Sequence, residues 1–274
     1  VDGMKQIFTT LLLLLTLAGC GKEPLHQEQA YVFGTIVEVS IYGEEEARAR
    51  QGAAAVMAEF QRLHDLLHAW QPSKLSELNR AIAEGRDLLL PPELVFMLQD
   101  AEQFARQSGG SFEPAIGSLI ALWGFHNDTF KAELPDSKKI AALLAAHPQT
   151  TDLVFTPVAE GDRVGSRNRA VKLDLGGFAK GYALDRAAEL LQQQGIHNAL
   201  INIGGNVLAL GTHGKRAWRV GIQHPRKPGA LATLELQDGE AVGTSGDYQR
   251  YFELDGKRYC HVLDPRSGWP VQGV

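Results

Sequence analysis

The chain has 274 residues, of which 44% are hydrophobic and 22% are charged. It is long enough for one large domain or two small ones, and these values exclude a collagen-like or wholly disordered chain. The formal net charge of −5 disfavours a protein that binds nucleic acid through its phosphates. Two cysteines are too few for a disulfide scaffold or a cysteine-rich zinc site. We therefore expect no nucleic-acid partner.

Residues 1–19 have the pattern of a secretory signal. A basic start precedes an apolar run over residues 11–15, which is too short to span a bilayer, and small residues follow it. Residues 17–20, Leu-Ala-Gly-Cys, resemble the lipobox of bacterial lipoproteins, in which cleavage leaves a lipid-bearing cysteine. We expect lipidation at Cys20, a polar tether over residues 20–30, and a domain that faces the periplasm from a membrane of the bacterial cell envelope. The alternative is an ordinary buried helix with an incidental cysteine.

One strand and several helices are predicted for the first half of the remaining chain. Loose alternation of apolar residues over 31–42 predicts the strand. Apolar residues at helical spacing predict a long amphipathic helix over 44–69, which Trp70 and Pro72 end. Shorter helices are predicted over 76–83, 91–108 and 135–146, and a glycine-interrupted apolar segment lies at 112–125.

The second half is predicted to be richer in strands. A strand over 171–175, a glycine turn over 176–181 and a helix over 182–194 follow one another, and Gly195 ends the helix. Asp255-Gly256 has the pattern of a hairpin turn. Further strands are predicted over 199–203, 218–222, 232–236, 248–254 and 258–263. With no repeat and no linker, we expect a single mixed α+β domain over residues 31–274, with antiparallel sheets and flanking helices.

The segment 174–181 is the strongest local candidate for a binding site. A helix that begins after two glycines leaves free backbone N–H groups, which bind anions, and Lys180 adds a positive charge. The glycine spacing matches neither the dinucleotide fingerprint nor the P-loop. Two interpretations stay open: a phosphate or anion site, and a tight turn beside a solvated lysine.

Other chemically capable residues each have a structural alternative. His261 and Asp264 could serve proton transfer or bind a metal, although a lone histidine is more often structural. Trp70 and Trp123 could stack on a ligand ring or pack in the core. Cys260 is adjacent to His261, but neighbours on a strand point to opposite faces, so we expect a packed and inert thiol rather than a catalytic dyad.

Six short motifs taken together are far more specific than any one of them. In chain order they are Phe33-Gly34-Thr35; Trp70 with Ser76-Glu77-Leu78-Asn79; Gly110-Ser111-Phe112-Glu113-Pro114 with Trp123-Gly124-Phe125; residues 173–182 with Asp185; Asn202-Ile203-Gly204-Gly205; and Thr244-Ser245-Gly246-Asp247-Tyr248 with residues 261–268. From about residue 31 onward the chain resembles the FAD:protein FMN transferase family, the ApbE-type flavin transferases.

The resemblance implies an enzymatic function. Such enzymes use Mg²⁺ to cleave the pyrophosphate of FAD and transfer FMN to a threonine or serine hydroxyl of an acceptor protein, releasing AMP. Typical acceptors are subunits of membrane electron-transport complexes. Two alternatives remain: an FAD pyrophosphatase, and a non-catalytic periplasmic lipoprotein that binds flavin.

The resemblance also implies roles for individual residues. Gly177 matches a position that offers a metal ligand through its carbonyl, and His261 matches the candidate for catalysis near the pyrophosphate. Glu113 stands where the family usually has aspartate. FAD-contacting positions are matched by Phe33, Trp70, Ser111, Phe112, Glu113, Asp174, Lys180 and Leu263.

The family continues beyond the position matched by Val274, with strands and with further metal ligands, an aspartate and a threonine or serine. On that resemblance, we expect the chain as given to be incomplete at its C-terminus. We also expect this form to bind Mg²⁺ poorly and to transfer little or no FMN.

Overall fold

Twelve strands and six α-helices make up the described part of the chain, which in this computed structural model comprises residues 25–127 and 129–272. The strands are β1 (Leu25–Val32), β2 (Thr35–Tyr42), β3 (Leu88–Leu90), β4 (Leu153–Val158), β5 (Gly161–Ser166), β6 (Ala199–Ile203), β7 (Asn206–Leu210), β8 (Trp218–Gln223), β9 (Ala230–Leu236), β10 (Ala241–Val242), β11 (Tyr251–Leu254) and β12 (Lys257–Cys260). The helices are α1 (Glu46–Leu67), α2 (Lys74–Ala83), α3 (Pro92–Gln107), α4 (Gly117–Leu122), α5 (Ser137–Ala146) and α6 (Gly176–Gln193).

A five-stranded antiparallel sheet with the order β1-β2-β6-β7-β10 supports the largest core. The helices α1 and α6 pack against each other, and α1 also contacts β1 and β2. Gly52 lets α1 approach closely, because a Cβ there would lie 2.4 Å from the Ile196 side chain. Burial of apolar side chains between the sheet and these two helices stabilises the core.

The N-terminal prediction was partly wrong. Residues 25–30, expected in the tether, belong to strand β1, and the single strand predicted over 31–42 is two strands. Phe33 and Gly34 form the turn between them with φ of 56° and 70°, a left-handed pair that suits a tight hairpin. Strand β1 is polar because it lies at the edge of the sheet, with alternate side chains exposed. The predicted signal and Cys20 lie outside the described residues.

The segment before α6 is extended but is not a strand, contrary to prediction. Its one bridge pairs Lys172 with Ile116, and the backbone groups of Leu173 instead bond the buried Asn79 amide, at 2.7 and 2.9 Å. The predicted glycine turn was also wrong, because α6 already begins at Gly176. The Asp174 carboxylate accepts from the Gly176 N–H at 2.8 Å and so occupies one free donor of the first helical turn.

The mixed α+β class with antiparallel sheets and flanking helices is confirmed. The five predicted helices of the chain are present with small shifts of their ends, apart from the earlier start of α6, and a short helix, α4, lies in the glycine-interrupted segment. The predicted hairpin turn at Asp255-Gly256 joins β11 to β12. Sequence reasoning missed the short strands β3, β4, β5, β7 and β10.

A second, aromatic core lies beside the main one. It joins the β11–β12 hairpin to α4 and α5, with Trp123 stacked on Tyr259 at 5.9 Å between ring centroids and donating through its indole to the Gly268 carbonyl. Within the described residues, no helix has both the length and the apolar character needed to cross a bilayer.

Candidate functional site

A cavity of about 480 Å³ brings five parts of the chain together. The start of α6, the Gly204-Gly205 turn, β8 and the loop over residues 244–249 all line it. His261 and Val262, just after β12, complete it. Three residues predicted for the site, Gly177, Lys180 and His261, therefore share one cavity.

The first turn of α6 presents donors to this cavity. The N–H groups of Phe178 and Ala179 bond the Leu175 carbonyl, and that of Gly176 bonds Asp174. The N–H of Gly177 has no acceptor among the described residues, and it lies at the positive end of the helix dipole. Lys180 follows one turn later, and burial together with nearby Arg250 lowers the pKa of its ammonium group. The arrangement suits a phosphate.

His261 is held in one tautomer by its surroundings. Its Nδ1 lies 3.2 Å from the carbonyl oxygen of Arg250, which can only accept, so Nδ1 carries the hydrogen. The neutral ring then carries its lone pair on Nε2, which has no partner among the described residues. Burial lowers the pKa of His261, and the positive charges of Arg250 and Lys180 lower it further. At neutral pH the ring is therefore a neutral acceptor of protons.

Trp70 and Asp174 form a connected pair ahead of α6. The indole Nε1 of Trp70 donates to Oδ2 of Asp174 at 3.0 Å, while Oδ1 of the same carboxylate accepts from Gly176. Lys172 places its Nζ 4.3 Å from the centroid of the Trp70 ring, a cation–π contact. The loop that carries Trp70 is thereby fixed to the helix start that faces the cavity.

Phe33 is not among the residues that line the cavity. Its ring meets Phe60 and His64 of α1 edge-on, at 6.1 and 5.8 Å between centroids. His64 in turn contacts His68 at 5.1 Å. Phe33 is thus connected to the Trp70 loop through two histidines rather than by direct contact.

The Ser111-Phe112-Glu113 motif divides among three environments. Phe112 lines a second cavity of about 590 Å³, which shares Gly177 and Gly181 with the first and lies on another side of α6. Ser111 is exposed. The Oε1 atom of Glu113 accepts from the Thr150 backbone N–H at 2.8 Å and from the Thr150 hydroxyl, so this carboxylate is occupied within the protein.

Leu263 and Cys260 are both packed. Leu263 lies in the aromatic core and does not line either cavity. The Cys260 thiol is buried, and burial raises its pKa. Its Sγ lies 3.6 Å from the Val271 carbonyl oxygen, so the expectation of an inert thiol agrees with its surroundings. The backbone of Leu263 itself forms an antiparallel bridge with that of Pro270.

The described residues of the cavity do not by themselves make a magnesium site. None of the lining residues is a carboxylate, the ligand that Mg²⁺ prefers, and no group of three or more metal-binding side chains occurs among the residues described. The carbonyl of Gly177 lies in the first turn of a helix, where carbonyls point along the axis away from the N-terminus. A metal contact through this carbonyl stays a prediction.

Sequence reasoning assigned no role to several polar residues of the site. The amides of Asn202 and Asn206 flank the Gly204-Gly205 turn and line the cavity. Arg250 donates to the Phe125 carbonyl at 2.7 Å and holds the His261 ring through its own backbone oxygen. An arginine that acts through its main chain leaves no pattern in a sequence. The asparagines stood beside a glycine pair that the sequence did single out.

A helix start, a lysine and a neutral histidine line one cavity, an arrangement that suits a phosphate-bearing ligand. The fold and the family comparison identify the class further. The chain belongs to the ApbE family, whose model matches residues 33–274.

Named relatives and solved structures agree with this assignment. The chain is 43% identical to an FAD:protein FMN transferase of Rhodobacter capsulatus, over 100% of this chain and 53% of that protein. It is 36% identical to one from Klebsiella pneumoniae, over 90% and 74%. The chain thus spans about half the length of the first relative.

Among solved structures, the ApbE protein of Thermotoga maritima superposes with a TM-score of 0.83 at 31% identity, covering 92% of this chain and 80% of that one. The apo flavinyl transferase ApbE of Pseudomonas stutzeri gives 0.75 at 28%, covering 91% and 77%. The predicted family resemblance is confirmed. The roles of the individual site residues stay predictions.

Proposed function

We propose that this chain is the catalytic domain of an FAD:protein FMN transferase. Its substrates are FAD and a threonine or serine hydroxyl of an acceptor protein, and its products are a flavinylated protein and AMP. The observation that carries the proposal is the shared cavity of Gly177, Lys180 and His261, which combines anion-binding donors with a neutral base. The names of the relatives at 43% and 36% identity support the same activity.

His261 would act as the general base. The acceptor hydroxyl attacks the phosphorus on the FMN side of the pyrophosphate, and its proton passes to Nε2 of His261. The bond between that phosphorus and the bridging oxygen breaks, and AMP leaves with the oxygen and both bonding electrons. The hydrogen bond from Nδ1 to the Arg250 carbonyl keeps the ring in the tautomer that this transfer requires.

The start of α6 would hold the pyrophosphate. The Gly177 N–H and the positive end of the helix dipole stabilise a phosphate without a side chain, and Lys180 neutralises part of its charge. The absence of Cβ atoms at Gly176 and Gly177 leaves this end of the helix accessible. Trp70 and Asp174 keep the preceding segment in place, and the Trp70 ring offers a flat face to the flavin or the adenine.

The magnesium requirement is proposed on the family resemblance alone. A divalent cation would neutralise the charge of the pyrophosphate when bound. Because the described cavity contains no carboxylate, we assign no step of the reaction to the metal. We predict that EDTA abolishes FMN transfer and that Mg²⁺ restores it. Titration calorimetry with MgCl₂ measures how tightly the ion binds.

The products formed from FAD test the proposed activity. The full-length protein is incubated with FAD, Mg²⁺ and a purified flavin-accepting domain of a membrane electron-transport subunit, with enzyme in excess over acceptor. We expect AMP and flavin fluorescence that remains on the denatured acceptor in equal amounts. An acceptor variant with alanine at the flavinylated hydroxyl is the matched control, and it should remain unlabelled.

The two alternative functions give different products in the same assay. An FAD pyrophosphatase releases free FMN and AMP without any acceptor. A flavin carrier keeps FAD intact and releases neither. Bound FAD with no AMP after a prolonged incubation of an enzyme replete with Mg²⁺ would reject the transferase proposal.

We also propose that the domain works at the surface of a bacterial membrane, facing the periplasm and anchored by a lipid on Cys20. The support is the lipobox-like sequence at residues 17–20 and the membrane location of typical acceptors. Labelling cells with a radioactive fatty acid tests the anchor. Label should appear on the protein and should be lost in a Cys20→Ala variant.

A further inference from the structure

His68 lies at the turn that carries Trp70 into the site, and no role has been assigned to it. It is the residue directly after α1, where the chain leaves the helix with φ of −65° and ψ of 114°. Its side chain is half-buried. The next three residues lead through Trp70 towards Ser73, the N-cap of α2.

The His68 ring accepts two backbone hydrogen bonds at one atom. The N–H of Trp70 donates to Nδ1 at 3.1 Å, and the N–H of Gln71 donates to the same Nδ1 at 3.0 Å. A backbone N–H can only donate, so Nδ1 must carry a lone pair and the ring must be neutral. The His68 carbonyl accepts from the Ser73 hydroxyl at 2.6 Å, which closes the turn on its other side.

These bonds fix the position from which Trp70 reaches Asp174. The main chain of Trp70 is bound by His68, while its indole is bound by the carboxylate that also accepts from the first N–H of α6. One continuous path of hydrogen bonds therefore runs from the His68 ring through Trp70 and Asp174 to the helix start that faces the cavity. The link between Trp70 and Asp174 joins residues 104 positions apart, so it connects the turn after α1 to the start of α6.

We propose that His68 is a positioning residue that holds Trp70 in the FAD-binding arrangement only while its imidazole is neutral. A proton on Nδ1 would remove both acceptor interactions. The new N–H group would then repel the backbone N–H groups of Trp70 and Gln71. The Trp70 loop would then lose its anchor, and the indole would no longer be held against Asp174. The inference rests on the proposed function for its effect on FAD, but its structural part does not.

The charges around His68 determine how readily it takes up a proton. Burial lowers the pKa of His68, and the neighbouring His64 lowers it further, whereas Asp174 and Asp65 act in the opposite direction. The net effect keeps the ring neutral at pH 7. Stability contributed by the neutral ring is complete above about pH 6.5, the ordinary histidine value, and is lost as the pH falls through the lowered pKa.

The substitution His68→Asn separates acceptor geometry from titration. Asparagine places an oxygen where histidine has Nδ1, so it can accept the same two backbone bonds but cannot gain a proton there. His68→Leu removes the acceptor while keeping a bulky apolar side chain. His197→Gln is the matched control, because this histidine is exposed and no hydrogen bond joins its side chain to the Trp70 turn within the described chain.

The main measurement is the affinity for FAD between pH 5 and pH 8, monitored through the quenching of flavin fluorescence. We expect the dissociation constant of the wild type to rise about tenfold toward the acid end, a change that corresponds to about 1.4 kcal/mol. His68→Asn should bind FAD with near-wild-type affinity at pH 8 and should lose this acid dependence. His68→Leu should bind about tenfold more weakly at every pH, and His197→Gln should behave as the wild type. An unchanged acid dependence in His68→Asn would overturn the proposal.

Nitrogen NMR of the free protein keeps the proposal testable if FAD does not bind. We expect the Nδ1 resonance of His68 to be that of an unprotonated nitrogen at pH 7, and hydrogen exchange at the Trp70 indole N–H to accelerate as His68 takes up a proton. A protonated Nδ1 at pH 7, or indole exchange independent of this titration, would contradict the inference. If the NMR result is as expected but FAD does not bind, the outcome counts against the proposed function and not against the role of His68.

Discussion

Two walls of the main cavity, the one that contains Gly177, Lys180 and His261, are held in contrasting ways. The helix wall, residues 173–181, is fixed by buried polar contacts: the Asn79 amide bonds both backbone groups of Leu173, and the Trp70 indole bonds Asp174. The loop wall, residues 244–249, has exposed residues at 244, 245 and 249, and its buried Asp247 is paired with Arg226, whose side chain is about half exposed. Hydrogen bonds between buried groups are costly to leave unmade, whereas exposed ion pairs contribute little. We therefore expect a preorganised phosphate-binding wall facing a more adaptable one.

The largest effect is expected from the residue between the two walls, His261. His261→Gln should lower the rate of FMN transfer by about 10²–10⁴-fold, the usual contribution of a general base, with little change in FAD affinity. Single-turnover labelling of the acceptor measures it. In the wild type the rate should fall as the pH decreases through the lowered pKa of His261, and the variant should lack this dependence. Cys260→Ser is the control, and a loss of transfer there as large as in His261→Gln would contradict the assigned roles.

Asn79 provides the strongest test of the helix wall. Asn79→Leu leaves the N–H and the carbonyl of Leu173 buried without partners, so we expect unfolding free energy to fall by about 2–4 kcal/mol. Urea denaturation measures this loss. Arg80→Gln, on the exposed side of the same helix, should cause almost no change. Equal stability of the two variants would show that the wall is not held as described.

Lys180 tests whether the helix wall binds an anion. Lys180→Met keeps the length of the side chain and its apolar contacts but removes the charge, so FAD should bind about 10–100-fold more weakly, the range expected for hydrogen bonds to charged groups. Titration with FAD and with riboflavin separates the causes. Riboflavin has no phosphate, and its affinity should be unaffected. An equal loss for both ligands would place Lys180 near the flavin ring instead.

Substitutions at Gly177 and Gly181 separate effects on the stability of α6 from effects on FAD binding. Alanine at a helical glycine position favours the helix by roughly 0.5–1 kcal/mol, but a Cβ at 177 would lie 3.3 Å from Cε2 of Phe112, a tight contact. We expect Gly177→Ala to leave the unfolding midpoint nearly unchanged and to weaken FAD binding about tenfold through the methyl group beside the free amide. Gly181→Ala meets no atom within 4 Å, so it should stabilise the helix and leave the amide at residue 177 unobstructed.

The sequence indicated the helices more reliably than the edges of the site. Helical spacing found α1 and α3 because each buries one apolar stripe against the core. The turn predicted over residues 176–181 was wrong because two glycines normally end or precede helices, and no local pattern reveals that Asp174 binds the first amide of α6. The pairing of Asn79 with Leu173 joins residues 94 positions apart, which periodicity cannot detect.

Of the predicted site residues, two in α6 and one after β12 came together. Gly177, Lys180 and His261 line the main cavity. The side chains of Glu113 and Leu263 are instead directed to Thr150 and to the aromatic core. Motif resemblance assigns a position to a site but cannot say whether its side chain or its backbone faces the ligand.

Arg226 offers the smallest expected effect and tests the loop wall directly. Its Nη2 donates to both oxygens of Asp247, at 2.9 and 2.8 Å, and holds the pKa of that carboxylate below its ordinary value. Because its pKa is lowered, the ionised Asp247 stabilises the fold above about pH 4. This stabilisation is lost as the pH falls through the lowered pKa. Because the arginine side chain is about half exposed, solvent and salt screen the pair, and Arg226→Ala should change the unfolding midpoint at pH 7 only slightly. The loop should nevertheless open more often, since Asp247 retains only the more distant Arg258 at 3.8 Å, so limited proteolysis near residues 244–249 should quicken. FAD affinity should stay at the wild-type level; a loss as large as that in Lys180→Met would mean that both walls bind the phosphate, and the contrast between them would fail.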